Sequence, residues 1–527
     1  MDNEGQNHLD VDVEKPEGAC SHTFGSCFYW IRKRDGRIVE FDTEKIAEAI
    51  LKAAKAVGGE DRELAEELAR VVVRYLAQLH LSDIPTVEEV QDAVEKVLIE
   101  RGHAKTAKAY ILYRDRRTRM REARSELMDV VEDILVETNR ENANVGNSPS
   151  AKMLQIASAA SRQYYLSRLI PEEITKAHRS GDIHIHDLDF YGKTLTCVQI
   201  PLGRLLEEGF STGHGYIRPP KRPSSATALA AIILQSSQND MHGGQSFAFF
   251  DRDMARFVTG ASEFEVYQSM EALIYNLNSM HSRAGAQVPF SSINIGCDTT
   301  AAGRMVTKCL LEAYESGLGR GETPIFPNII FRLHKGINLD PGDPNYDLFQ
   351  LAMRVSAQRM NPTYSFMGAS FNQPYGDEVA YMGCRTRVIA NRHGPAVSNG
   401  RGNLSFTTVN LPRLAIKANG HLEVFFHELE TMMLLAARQL YHRYKIQSRL
   451  RVRDMPFLMG QGIYLDSEKL KPEDVIAPVI KHGTLSIGFI GLAETLTCLT
   501  GSHHGQDAHA RQLGLEIVRF MRRVVDR

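Results

Sequence analysis

The chain has 527 residues, 43% hydrophobic and 24% charged, with a formal net charge of -2. That balance describes an ordinary folded protein, long enough for a regulatory domain and a larger catalytic one, and excludes bulk attraction to nucleic acid or a membrane surface. No apolar run of membrane-spanning length and no signal peptide occur, and seven scattered cysteines argue against a disulfide framework and for a reducing cytoplasm.

Residues 1–27 are polar and unpatterned and read as a flexible tail, in which Cys20, His22 and Cys27 fit no common zinc spacing. A small α+β unit is predicted next. Tyr29–Lys33 and Arg37–Phe41 are short β-prone runs joined through Asp35-Gly36, a hairpin signal. Asp42 and Thr43 cap a first helix with Ile46, Ile50, Leu51 and Ala54 on one face. A second helix carries Leu64, Leu68, Val71, Val72 and Tyr75. Thr86-Val-Glu-Glu89 is a capping box that opens a third, with Val90, Val94 and Val97 inward. A fourth runs through Ala104, Ala107, Tyr110 and Leu112. The six arginines from Arg114 to Arg124 read as the solvated face of a connecting helix reaching residue 145.

From residue 146 the pattern changes. Pro324–Phe331 and Leu485–Ile490 read as buried strands, alternating with helices such as Glu263–His281 and Glu423–Lys445. Strand–helix alternation favours a parallel or barrel-like α/β body over 146–527.

At the hairpin of the first unit, Lys33 and Arg34 place cationic heads where they can meet a triphosphate, and Lys45 on the first helix adds a third. Together with the closing Ala107–Arg114 stretch, residues 28–120 resemble the ATP-cone family of regulatory nucleotide-binding domains. The resemblance implies a sensor of ATP against dATP, with Arg37 and Thr86 as secondary contacts.

Five ordered stretches mark the body: Asn142–Val145, Gly181–Asp189, Gln235–Gln245, Ser282–Asn294, and Tyr381–Val388 followed by Gly400–Arg413. Over 121–527 the chain resembles the anaerobic (class III, glycyl-radical) ribonucleotide reductases. The resemblance implies a ten-stranded α/β barrel of two half-barrels with a finger loop inside. It assigns Cys384, beside Gly383, as the thiyl radical that takes hydrogen from ribose C3′. Met382 is expected to line the pocket. Cys197 corresponds to the second active-site cysteine, and Asn403 to an amide near the ribose hydroxyls. Cys297, Cys309 and Cys498 are expected to be buried structural cysteines, and Gly243-Gly244 with Gln245 to help form a specificity site on the dimer side. His184, His186, Asp187 and Asp189 are expected to shape the pocket without holding a metal.

The family's substrates are ribonucleoside triphosphates, its effectors ATP, dATP and other deoxynucleoside triphosphates, its partners a second copy of the chain and a radical-SAM activating enzyme. No paired thiol stands beside Cys197 or Cys384, which points to formate as reductant. Complete members also carry a four-cysteine zinc site and a radical glycine in an Arg-Val-Cys-Gly-Tyr-like motif. No Cys-x-x-Cys pair and no such glycine occur in this sequence, so the expectation is an incomplete barrel, inactive by itself. The competing readings are a nucleotide-sensing regulatory protein with a dead body, and a formate-lyase relative. The latter class commonly carries adjacent active-site cysteines, which this chain lacks.

Overall fold

A computed structural model describes residues 28–34, 36–79, 84–136, 148–283, 287–383 and 386–527. The tail cysteines, Asp35 of the hairpin, Asn142–Val145 and Cys384 lie outside the described residues. The chain divides into two units, 1–125 and 126–527.

The first unit begins with an antiparallel hairpin, β1 (Trp30–Arg32) and β2 (Ile38–Glu40), in the register Ile31↔Val39. Helices α1 (Thr43–Lys55), α2 (Arg62–Gln78), α3 (Val87–Glu100) and α4 (Ala104–Val136) follow. The starts of α1, α2 and α3 are fixed by side-chain caps at Asp42, Asp61 and Thr86, each satisfying an otherwise orphaned helix N–H. The capping box is present: Glu89 N donates to Thr86 Oγ1 at 3.3 Å, and Thr86 N donates to Glu89 Oε2 at 2.7 Å. Ile46, Ile50, Leu68, Val72, Leu76, Val94, Val97 and Tyr110 share one core. Leu64 and Leu112 lie exposed instead, because their turns face away from that core. Arg114 also departs from the solvated reading: it bonds Glu95 of α3 at 2.9 Å and pairs with Asp92.

The second unit opens with α5 (Pro149–Tyr164), α6 (Glu172–Arg179), β3 (Ile183–Ile185), β4 (Cys197–Ile200), α7 (Leu202–Glu208) and a small hairpin, β5 (Phe210–Ser211) and β6 (Tyr216–Ile217). Then come α8 (Pro223–Ser237), β7 (Gln245–Phe247), α9 (Phe250–Val258), α10 (Glu263–Ser279), β8 (Ser291–Ile295), α11 (Ala301–Ser316), β9 (Asn328–Leu333), α12 (Tyr346–Arg359) and β10 (Thr363–Phe366). A second hairpin, β11 (Tyr381–Met382) and β12 (Thr386–Arg387), precedes β13 (Gly402–Asn410), α13 (Leu411–Ala418) and α14 (Leu422–Gln447). The last elements are α15 (Ala477–Ile480), β14 (Thr484–Ile490), α16 (Leu492–Thr500) and α17 (Ala508–Asp526).

The main sheet runs β10-β9-β8-β7-β4-β13-β14, with β3 also pairing β13. Its first five strands are mutually parallel; β13 lies antiparallel to β4 and carries β14 parallel to itself. The sheet is thus the seam of two oppositely directed halves, the half-barrel arrangement expected. Strand alternation sorts the side chains by face. Val198, Ile200, Phe247, Ile293, Ile295, Ile329 and Phe331 join the outer core under the helices, while Val409, Leu411 and Leu414 join a second core with α14 and α17. The inner face carries polar groups such as Gln199, Ser246, Ser292 and Asn294.

Two strand expectations are corrected. Pairing of β9 starts at Asn328 because Pro324 and Pro327 have no N–H for a ladder. β14 is a strand but not a buried one: it ends the sheet order, and Leu485, Phe489 and Ile490 are exposed.

Candidate active site

The seam between β4 and β13 brings Cys197 and Asn403 opposite each other as register partners. Since Val198 and Ile200 belong to the outer core, Cys197 and Gln199 face inward. The close approach is bought with glycine: a Cβ on Gly402 would stand 1.8 Å from the Cys197 carbonyl oxygen. Gly244 N lies 3.3 Å from Cys197 Sγ and donates to it. A Cβ on Gly244 would stand 2.8 Å from Gly383 Cα, so β7 touches the loop stem directly.

Asn403 is fully buried; its Oδ1 accepts from Thr484 Oγ1 of β14, and its Nδ2 has no hydrogen-bond partner. Gln199, two positions beyond Cys197, likewise has both amide atoms buried and unpaired. Buried polar groups left unsatisfied cost roughly 1–3 kcal/mol each, and a ligand that pairs them recovers that cost.

β11 and β12 pair as Met382↔Thr386 and Tyr381↔Arg387, flanking positions 384 and 385. Met382 is buried and packs with Cys197 and Val388. The return limb is held by Arg401, itself buried, which donates to the carbonyls of Ile389 at 2.6 Å, Ala390 at 3.0 Å and His482 at 2.8 Å. Arg387 donates to Asn372 Oδ1 at 2.6 Å. No motif marks these anchors, because each depends on how the loop folds back on itself or, for His482, on a segment 81 positions away.

The Gly181–Asp189 stretch supplies the neighbouring wall. His186 Nε2 lies 2.7 Å from Thr408 Oγ1, and the His184 and His186 rings meet edge to face at 4.7 Å. His242 stacks on Phe190 at 4.9 Å, with Nδ1 2.6 Å from Thr194 Oγ1 and Nε2 3.4 Å from Asp187. Burial lowers the pKa of His242, and this outweighs the pull of Asp187. Burial works against the Asp187 charge, yet His242 and Arg443 hold its pKa below the usual carboxylate range. The contact is therefore a carboxylate beside a neutral imidazole.

Gly243 packs on Thr196 and Cys197, Gly244 on Gly383 and Phe290, and Gln245 is buried in β7 opposite Val198. Of the three cysteines expected to be buried, Cys309 is, Cys297 is half-buried and Cys498 is not; burial pushes the Cys297 thiol up to about 11 and that of Cys309 to about 12. Cys498 is exposed on α16.

In the first unit, Lys33 and Arg34 sit at the β1–β2 turn, where Lys33 N donates to Arg37 O at 2.8 Å. Arg34 donates to Glu88 and, at 3.0 Å, to Gln91 Oε1, both in the opening of α3. Lys45 pairs with Asp42 at 3.3 Å, and the Thr86 hydroxyl is committed to its capping box. These exposed pairs are weak in water, so the cations are open to exchange for a stronger anion.

Family models match twice: "Anaerobic ribonucleoside-triphosphate reductase" over residues 141–527 and "ATP cone domain" over 29–119. The anaerobic ribonucleoside-triphosphate reductase of Salmonella typhimurium is 32% identical over 539 residues, covering 94% of this chain and 74% of that protein. The Escherichia coli enzyme matches with the same identity and coverage. In structure, the anaerobic ribonucleotide reductase of Thermotoga maritima solved with dATP in its specificity site superposes with a TM-score of 0.57. That match is at 16% identity and covers 77% of this chain and 73% of the other. Among the described residues no helix is long and apolar enough to cross a membrane. The chain, spanning about three quarters of its curated relatives' length, belongs to the anaerobic ribonucleoside-triphosphate reductases and carries an ATP cone ahead of its catalytic body.

Proposed function

We propose that the body reduces ribonucleoside triphosphates with Cys384, Cys197 and Asn403 as its reacting and substrate-binding groups, and that the cone sets its activity through ATP or dATP. The observation that supports this reading most directly is the register pairing of Cys197 with Asn403, beside a glycine-lined stem that leads to position 384.

In this reading a glycyl radical, installed by a radical-SAM activating enzyme on a glycine outside this sequence, supplies the unpaired electron, and the chain by itself does not turn over. The Cys384 sulfur takes a hydrogen atom from ribose C3′. The 2′-hydroxyl then takes the proton of the 3′-hydroxyl and leaves as water; Cys197 gives a hydrogen to C2′, formate returns a hydrogen to Cys197, and the remaining electron passes with a proton to the C3′ carbonyl as carbon dioxide is released. Cys384 returns its hydrogen to C3′. The unpaired Nδ2 of Asn403 donates to a ribose hydroxyl or to formate, an interaction strengthened by the low dielectric of a buried site. Buried neighbours such as Met382 and Asn403 keep water from the radical. In the cone, Lys33, Arg34 and Lys45 bind the effector's phosphates, which displace Glu88 and Asp42 from their cations. The working unit is a homodimer.

The test is made in the activated reductase. Cys384→Ser is expected to abolish turnover, Cys197→Ser to abolish it with substrate affinity retained, and Asn403→Ala to lower kcat by about 10²-fold or more. Product formed at an undiminished rate by Cys384→Ser would sink the radical assignment. Full reduction by a thioredoxin system without formate would sink the choice of reductant.

A further inference from the structure

Three side chains on the inner face of β7 and β8 grip the backbone of the loop stem. Asn294 does most: its Oδ1 accepts from Tyr381 N at 2.9 Å and its Nδ2 donates to Tyr381 O at 2.8 Å. A neighbouring strand normally offers a residue that pair of bonds; here one side chain delivers both. The same Nδ2 reaches Phe247 O at 3.0 Å, tying the amide to β7, and Asn294 is fully buried. Ser246 Oγ donates to Tyr381 O at 3.2 Å, and Gly383 N donates to Ser292 Oγ at 3.1 Å.

We propose that Asn294 is a positioning residue for the reaction: its amide sets the depth at which the stem of the Cys384 hairpin sits against β7 and β8. The inference rests on the reading of Cys384 as hydrogen abstractor. Abstraction needs the reacting atoms in near-attack contact, and misplacement by about 1 Å costs on the order of 10²-fold in rate. Only an amide carries the donor and acceptor that this backbone position uses. Aspartate keeps the acceptor alone, and alanine keeps neither.

In the activated reductase, Asn294→Ala is expected to lower kcat by about 10²-fold with KM for the triphosphate changed less than about threefold. Because a misplaced abstractor makes C–H cleavage limiting, the isotope effect on kcat with 3′-deuterated substrate should rise. In hydrogen exchange of this chain, the Tyr381 and Gly383 amides should exchange about tenfold faster, while β13 stays unchanged. Asn294→Asp should fall between. If Asn294→Ala does not fold, Ser246→Ala and Ser292→Ala each remove one stem bond and should give the same isotope signature with smaller losses of kcat. A folded variant with wild-type kcat and isotope effect, in a reductase that Cys384→Ser inactivates, overturns this proposal alone. An active Cys384→Ser overturns the underlying reading and this proposal with it.

Discussion

Asp253, on α9, has its Oδ2 buried without a hydrogen-bond partner. Burial pushes its carboxyl up from 3.8 to about 6, against the opposing influence of Arg252 and the Gly203 backbone and with some help from Asp251. A carboxyl whose folded pKa lies above its unfolded one favours the fold when protonated. Its contribution is therefore fully present below pH 3.8 and is lost as pH rises through about 6. Above that window the folded protein holds a poorly solvated anion. Asp253→Asn removes this burden and should stabilise the body at pH 8 by up to about 3 kcal/mol, shrinking steadily as pH falls from 6 toward 4. Urea unfolding of both proteins at pH 5 and pH 8 reads the difference. An equal gap at the two pH values would show that Asp253 does not titrate in that window.

At the level of elements, Thr86 shows what is local and what is not. Its capping box was legible from Thr86-Val-Glu-Glu89 because every partner lies within one helical turn, and the structure has it with both bonds made. Thr86→Ala should therefore cost about 1 kcal/mol of cone stability, and Thr86→Ser should restore most of it. Because the hydroxyl is engaged in the cap, ATP affinity measured on folded protein should change little. A large loss of affinity at unchanged stability would restore Thr86 as a phosphate contact. Other features of the same unit were hidden for the opposite reason. Arg34 bonds Glu88 across 54 positions, which no periodicity reveals. In the body, the run Leu485–Ile490 announced a strand, but its exposure depends on its place at the end of the sheet order, a property of topology. Family motifs carried Cys197 and Asn403, and their register pairing gives those motifs a geometry. Asn294 was missed because a lone asparagine within a β-prone run carries no local sign that its amide will imitate a strand.

Across the whole chain, the cone and the body each possess a hydrophobic core of their own, the cone's built from Phe28 to Tyr110. A unit with its own core has its own opening equilibrium, and its amides in α1–α3 report that equilibrium by hydrogen exchange. Any ligand that binds only the folded cone multiplies its protection by one plus the ratio of free ligand to dissociation constant. With ATP at about 100-fold over that constant, exchange of the most protected amides of α1–α3 should slow by about 10²-fold. In the proposed site the phosphates take Arg34 from Glu88 and Lys45 from Asp42, exchanging weak exposed pairs for bonds to a polyanion. Replacing Lys33 and Arg34 together by alanine should therefore abolish the ATP-dependent slowing. Protection without ATP should stay within about threefold of wild type, since exposed pairs contribute little to the fold. Full ATP protection in that double variant would move the effector site away from the hairpin. Loss of protection without any nucleotide would mean that the two cations hold the cone together and do not read its ligand.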